Sequence, residues 1–114
     1  MEKNQLIEKS KMFAIEIIAL CENIKGKAVI ANQLSRSGTS IGANIHEANY
    51  AHSKNDFVDK FQIALKECYE TEYWLELLFE TKAVDKNIFK EFQQKAGAIR
   101  RMLIASINTA KGNK

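Results

Sequence analysis

Apolar residues recur at intervals of three, four and seven along nearly the whole chain, and the places where the pattern stops divide it into four blocks. From Lys3 to Ile24, Leu6, Phe13, Ile17, Leu20 and Ile24 fall on one helical face, and Gly26 follows as a C-terminal stop. From Lys27 to Tyr50 the same spacing is carried by Ile30, Leu34, Ile41 and Ile45. At Ser53 the pattern restarts. Ser53 with Asp56 three residues on resembles a capping box, and Phe57 begins a new stripe that runs to about Thr81, roughly 40 Å of helix. Asp85 is the expected N-cap of a fourth helix, in which Ile88, Phe92, Ala96, Ile99, Leu103 and Ala110 share a face before Gly112. Four long amphipathic helices with short connections predict an all-α, up-down-up-down antiparallel four-helix bundle forming a single domain over residues 1–114.

Composition supports that pattern. Among 114 residues there is no proline and only five glycines, with 46% hydrophobic content. A chain of this length buries about two-thirds of its unfolded surface, enough for one core. Cys21 and Cys68 stand far apart without a C-x-x-C, and no cleavable leader is evident, so both read as reduced thiols of a cytoplasmic protein. The most apolar run, Met12 to Leu20, is far short of the ~20 residues a bilayer requires and contains Glu16. No membrane partner is expected.

The third helix carries more apolar surface than one core needs. Phe61, Ala64, Cys68, Leu75 and Phe79 share an arc with Phe57, while Ile63, Trp74, Leu77 and Leu78 form a second arc on another side. Such a surplus marks a contact, and self-association is the expectation. Glu72 falls inside the core arc, where a carboxylate needs a partner. A structural polar contact is its expected role, because no second catalytic group accompanies it.

Charge is uneven. From Lys54 to Glu80 three lysines stand against seven acids, whereas from Lys82 onward Lys82, Lys86, Lys90, Lys95, Arg100, Arg101, Lys111 and Lys114 stand against only Asp85 and Glu91. Lys90, Arg100 and Arg101 are therefore the candidates for contact with RNA or DNA. The commoner meaning of such a run is a solvated face balancing an acidic neighbour, and the aromatic residues that would stack bases fall, by pattern, on apolar faces.

Catalytic patterns are missing from the sequence. His46 and His52 are six apart and join no cysteine pair, so no metal site is expected. His46 and Glu47 are adjacent, and adjacent helical residues diverge by about 100°. A hydrolase using Glu72 or His46 is the weakest reading, and neither catalytic residues nor cofactors are expected.

The stretch Ser35 to Ala48, SRSGTSIGANIHEA, holds Gly38 and Gly42 four apart but matches neither G-x-G-x-x-G nor a phosphate loop. On a helix these glycines flank Ile41 and Ile45, and they thin the helix so that another can approach. Arg36, Ser40, Ala43 and Glu47 lie along the opposite side, and this polar stripe with Asn44 is a candidate subunit contact. Together SGTSIGANIHEA and ALKECYETEYWLELL (Ala64 to Leu78) resemble the four helix bundle protein family, the 23S ribosomal RNA intervening-sequence proteins. The resemblance spans nearly the whole chain. It implies a four-helix bundle assembled as a barrel-shaped homopentamer, as in the similar accessory protein of diversity-generating retroelements, which works with a reverse transcriptase and binds nucleic acid. It implies no enzymatic activity. The family pattern falls on Arg36, Ser40, Ile41, Asn44, Ile45, Glu47, Glu70, Glu72, Tyr73 and Trp74. Many relatives carry arginine or alanine at the position of His46, which weakens a claim of RNA binding there. A partner RNA, DNA or protein is left open.

Overall fold

The computed structural model describes residues 2–112, with side chains from Gln5 onward. Its helices are α1 (Glu2–Glu22), α2 (Ala28–Ala48), α3 (Lys54–Glu80) and α4 (Lys86–Ala110), with no strand among the described residues. Each helix packs on its neighbours in sequence and α1 also packs on α4, whereas among the described residues the backbones of the diagonal pairs α1/α3 and α2/α4 stay apart. This is the antiparallel up-and-down bundle that the connections require. The bundle is 44 Å long, slightly more than the roughly 40 Å of α3.

The ends of the helices follow local chemistry. Ser53 Oγ accepts the Asp56 amide at 3.0 Å, and Asp56 Oδ2 accepts from the His52 amide at 3.1 Å, one residue earlier than the return bond of a capping box. Asp85 caps α4 by accepting from the Ile88 amide at 2.8 Å. Gly26 does not end α1 directly: the helix stops at Glu22, and Gly26 takes φ +78° within the connection. After α3, Lys82 occupies a left-handed position, φ +66°, that glycine usually fills. The bonds from Ala83 N–H to Leu78 C=O and from Lys82 N–H to Phe79 C=O complete a Schellman turn.

Leu6, Phe13, Ile17, Leu34, Ile41, Ile45, Phe61, Ala64, Cys68, Leu75, Ile99 and Leu103 form the centre of the core. Gly38 and Gly42 serve the α1/α2 seam. A β-carbon at Gly38 would lie 2.9 Å from Ile17 Cγ2, and one at Gly42 would lie 3.3 Å from the Ser10 carbonyl oxygen, so the missing side chains set how closely α1 lies on α2. α2 runs through both glycines without a break.

Leu78 requires a correction. Expected on a second, outward arc and named as a subunit contact, it is completely buried within its own bundle. The core arc of α3 extends further toward α2 than its hydrophobic residues alone suggest. Thr71 lies seven residues before Leu78 on the same stripe, and its hydroxyl donates to Ser37 Oγ at 2.8 Å with both residues fully buried. Small Ser37 on α2 lets this edge of α3 go inside, and its own hydroxyl donates to the Leu34 carbonyl at 3.4 Å, so both buried hydroxyls have partners.

Candidate functional site

Two surfaces of the bundle carry the candidate residues. The first is the α2–α3 side. Arg36 projects from α2 between two carboxylates of α3, bonded to Glu70 and to Glu67, and the Trp74 indole N–H donates to the same Glu70 at 3.2 Å. Further along the same side, Lys60 Nζ lies 2.9 Å from Glu47. The hydrogen bond from Arg36 holds the Glu70 carboxyl below its ordinary range, and Glu70 in turn raises the guanidinium. Ser40 donates its hydroxyl to the Arg36 carbonyl, and Asn44 donates to the Ser40 carbonyl, so both fasten their own helix.

Of the expected subunit-contact residues, Arg36, Ser40, Asn44, Glu47 and Trp74 therefore already have polar partners inside the chain. Around them Ile63 and Val29 are exposed, and Trp74 and Leu77 are half-buried. The surface carries inter-helix ion pairs, with Arg36 shared between two carboxylates and Glu67 Oε1 buried without a hydrogen bond, interleaved with apolar side chains.

The second surface is the α3–α4 side. Glu72 is joined to α4 by Arg100, whose Nε donates to Glu72 Oε2 at 2.8 Å. That bond raises the Arg100 guanidinium further above its ordinary value. Arg100, a nucleic-acid candidate on sequence grounds, is thus braced within the bundle, with its guanidinium 5.7 Å above the Tyr69 ring. Lys86, Lys90 and Arg101 are exposed, and no carboxylate among the described residues pairs with them. Lys114 lies outside the described residues.

Two features escape sequence reasoning. Tyr69 and Tyr73, absorbed into an apolar reading of α3, are 51% and 52% exposed. Helical phase offers a signal, since both lie well away from the Cys68–Leu75 stripe. The other is on α1, where Met12, Ile15 and Ile18 face solvent. Beside Met12 a groove of about 330 Å³ separates α1 from α4, lined by Phe13, Ile99 and Ala98 and rimmed by Lys95 with Glu16. The largely apolar run there, broken only by Glu16, hides the fact that one helix cannot bury all of its sides.

The remaining reactive groups are quiet. Burial pushes the Cys68 thiol up to about 12 and Cys21 to about 11, both firmly protonated at neutral pH. His46 and His52 are exposed and separate, with His46 packed edge-on against Tyr50. Among the described residues no three histidine, cysteine or acidic side chains gather as metal ligands, and no helix is long and apolar enough to cross a membrane.

Comparison with known proteins gives the fold a family. No curated protein matched the chain. A crystal structure of a protein of unknown function from the S23 ribosomal protein family of Bacteroides thetaiotaomicron VPI-5482 superposes with a TM-score of 0.91 at 41% identity, covering 95% of this chain and 99% of that one. The family model described as 23S rRNA-intervening sequence protein matches residues 2–105, which include both candidate surfaces. The chain belongs to the 23S rRNA-intervening sequence protein family.

Proposed function

We propose that this protein is a non-enzymatic scaffold that works as a homo-oligomer, a pentamer by its family resemblance, with the α2–α3 side as a subunit contact. The observation that carries the proposal is the chemistry of that side. Both cations that bridge α2 and α3 are met by carboxylates within the chain, Arg36 by Glu67 and Glu70 and Lys60 by Glu47, so covering the side strands neither of them, while Val29, Ile63, Trp74 and Leu77 offer apolar area. Sedimentation of the full chain at micromolar concentration is expected to give an assembly, and Ile63→Asp with Leu77→Asp to give a monomer that is still helical. A monomeric wild-type chain would refute the proposal.

A second reading, contact with RNA or DNA through α4, is favoured by one observation. Lys86, Lys90 and Arg101 meet no carboxylate, although α3 beside them is rich in acids. Charge reversal at Lys90 and Arg101 is expected to abolish low-salt binding to polynucleotides. Unchanged binding would remove this reading.

A further inference from the structure

We infer that the α3–α4 side is a platform for single-stranded nucleic acid, on which Tyr69 and Tyr73 stack bases while Arg101 and Lys90 meet the backbone. The inference rests on the second reading above and specifies the ligand. It begins from the state of the two tyrosine rings. Each is steadied by one neighbour, Tyr69 by the Arg100 guanidinium and Tyr73 by the edge of Trp74 at 5.1 Å, and each remains about half exposed. An aromatic ring held in place but left open is what stacking requires, because little side-chain freedom is lost when a base arrives.

The cations are placed by the antiparallel register. The Arg100–Glu72 ion pair and the Phe79–Phe89 stack, with centroids 4.5 Å apart, align α4 against α3 so that Tyr69 is level with Arg101 and Tyr73 with Gly97. Gly97 matters here. A β-carbon on it would lie 3.3 Å from a guanidinium nitrogen of both Arg100 and Arg101, so its absence lets the two arginines lie along the helix beside the tyrosines. Lys90 continues the positive edge toward the other end. Glu76 and Glu80 are exposed on α3 beyond Tyr73 and confine a phosphate backbone to the α4 edge.

The geometry selects a single strand. Tyr69 and Tyr73 are four residues apart, or about 6 Å along the helix. Duplex bases repeat at about 3.4 Å and have their faces covered, whereas a single strand can splay its bases to meet both rings. Stacking and phosphate contact read neither base identity nor the 2′-hydroxyl, so RNA and DNA single strands should bind alike.

The test is fluorescence anisotropy with the full chain at low salt, using labelled oligo-uridine, oligo-thymidine and a mixed-sequence duplex of equal length. Both single strands are expected to bind with similar affinity, and the duplex at least about tenfold more weakly. Tyr69→Ala and Tyr73→Ala should each weaken single-strand binding by about tenfold. Tyr→Leu should do the same and Tyr→Phe should not, which separates stacking from a loss of folding. Arg101→Gln should lower the salt dependence by about one phosphate contact, Glu76→Gln should strengthen binding, and Tyr50→Ala, in the α2–α3 connection, should change nothing. If the duplex binds as well as the single strands, or if both tyrosine-to-alanine variants bind as wild type, the platform is wrong although the basic-surface reading stands. If none of the three ligands binds, both are wrong.

Discussion

The α2–α3 and α3–α4 sides are built from the same kinds of residue and end in opposite states. On the first, Arg36 and Lys60 are each met by carboxylates from the facing helix, and even the interior hydroxyls of Ser37 and Thr71 find each other. On the second, Arg100 is so met, while Arg101, Lys86 and Lys90 are exposed with no carboxylate partner among the described residues, and the rings of Tyr69 and Tyr73 are about half exposed. Helical phase makes the difference. Glu67 and Glu70 bond to α2 and Glu72 bonds to α4, while Glu76 and Glu80, further along α3, are exposed. A side with closed charges can be covered by another subunit, whereas one with open cations retains its field for a polyanion.

The largest effect expected from breaking this contrast comes at two consecutive leucines on the α2–α3 side. Leu78→Ala should destabilise the bundle by about 2–5 kcal/mol in denaturant titration, as deletion of a fully buried leucine does. Leu77→Ala should alter the stability of the dissociated chain by about 0.5 kcal/mol or less and act on assembly instead. Equal losses at both positions would mean that the bundle does not distinguish them.

Two glycines give the next largest effect. Gly38→Ala gains about 1 kcal/mol of helix propensity but drives its methyl into the stiff, branched Ile17, where overpacking costs about 1–3 kcal/mol, so a net loss near 1 kcal/mol is expected. Gly97→Ala meets only the guanidinium ends of two arginines, of which exposed Arg101 can swing aside and Arg100, held by Glu72 at Nε, need give by only a few tenths of an ångström, so a gain of about 0.5–1 kcal/mol is expected in thermal unfolding. Opposite signs would show that the α1/α2 seam is closed at Gly38 while the α4 surface at Gly97 is open.

The smallest effect is a pH dependence. Glu70 has a folded value depressed by Arg36, so its contribution to stability is complete above the ordinary carboxylate value of 4.5 and is lost as the pH falls through the lower folded value. Glu70→Gln should flatten the stability curve across that acidic window and leave the curve's shape unchanged in the neutral range. Because Arg36 is nearly half exposed, solvent screening keeps the effect modest.

Apolar periodicity makes the four helices and most of the core legible in the chain, because burial of one stripe per helix dominates a bundle this small. The caps at Ser53 and Asp85 are legible for a similarly local reason, an acceptor side chain just before a helical pattern. Leu78 is misplaced by periodicity because its burial depends on Ser37 and Thr71, two polar residues whose pairing is a tertiary fact. The partner of Glu72 is likewise hidden: the need for one follows from position, but Arg100 lies 28 residues away and reads as surface charge. Tyr69 and Tyr73 escape notice because an aromatic residue on an amphipathic helix reads as core until the helix is oriented.

Oligomeric mass is the measurement that bears most directly on the central claim. Sedimentation equilibrium of the full chain at micromolar concentration should return five copies of the 13.0 kDa polypeptide, falling to one when Ile63 and Leu77 are changed to aspartate. A single 13.0 kDa species for the unmodified chain would contradict the account.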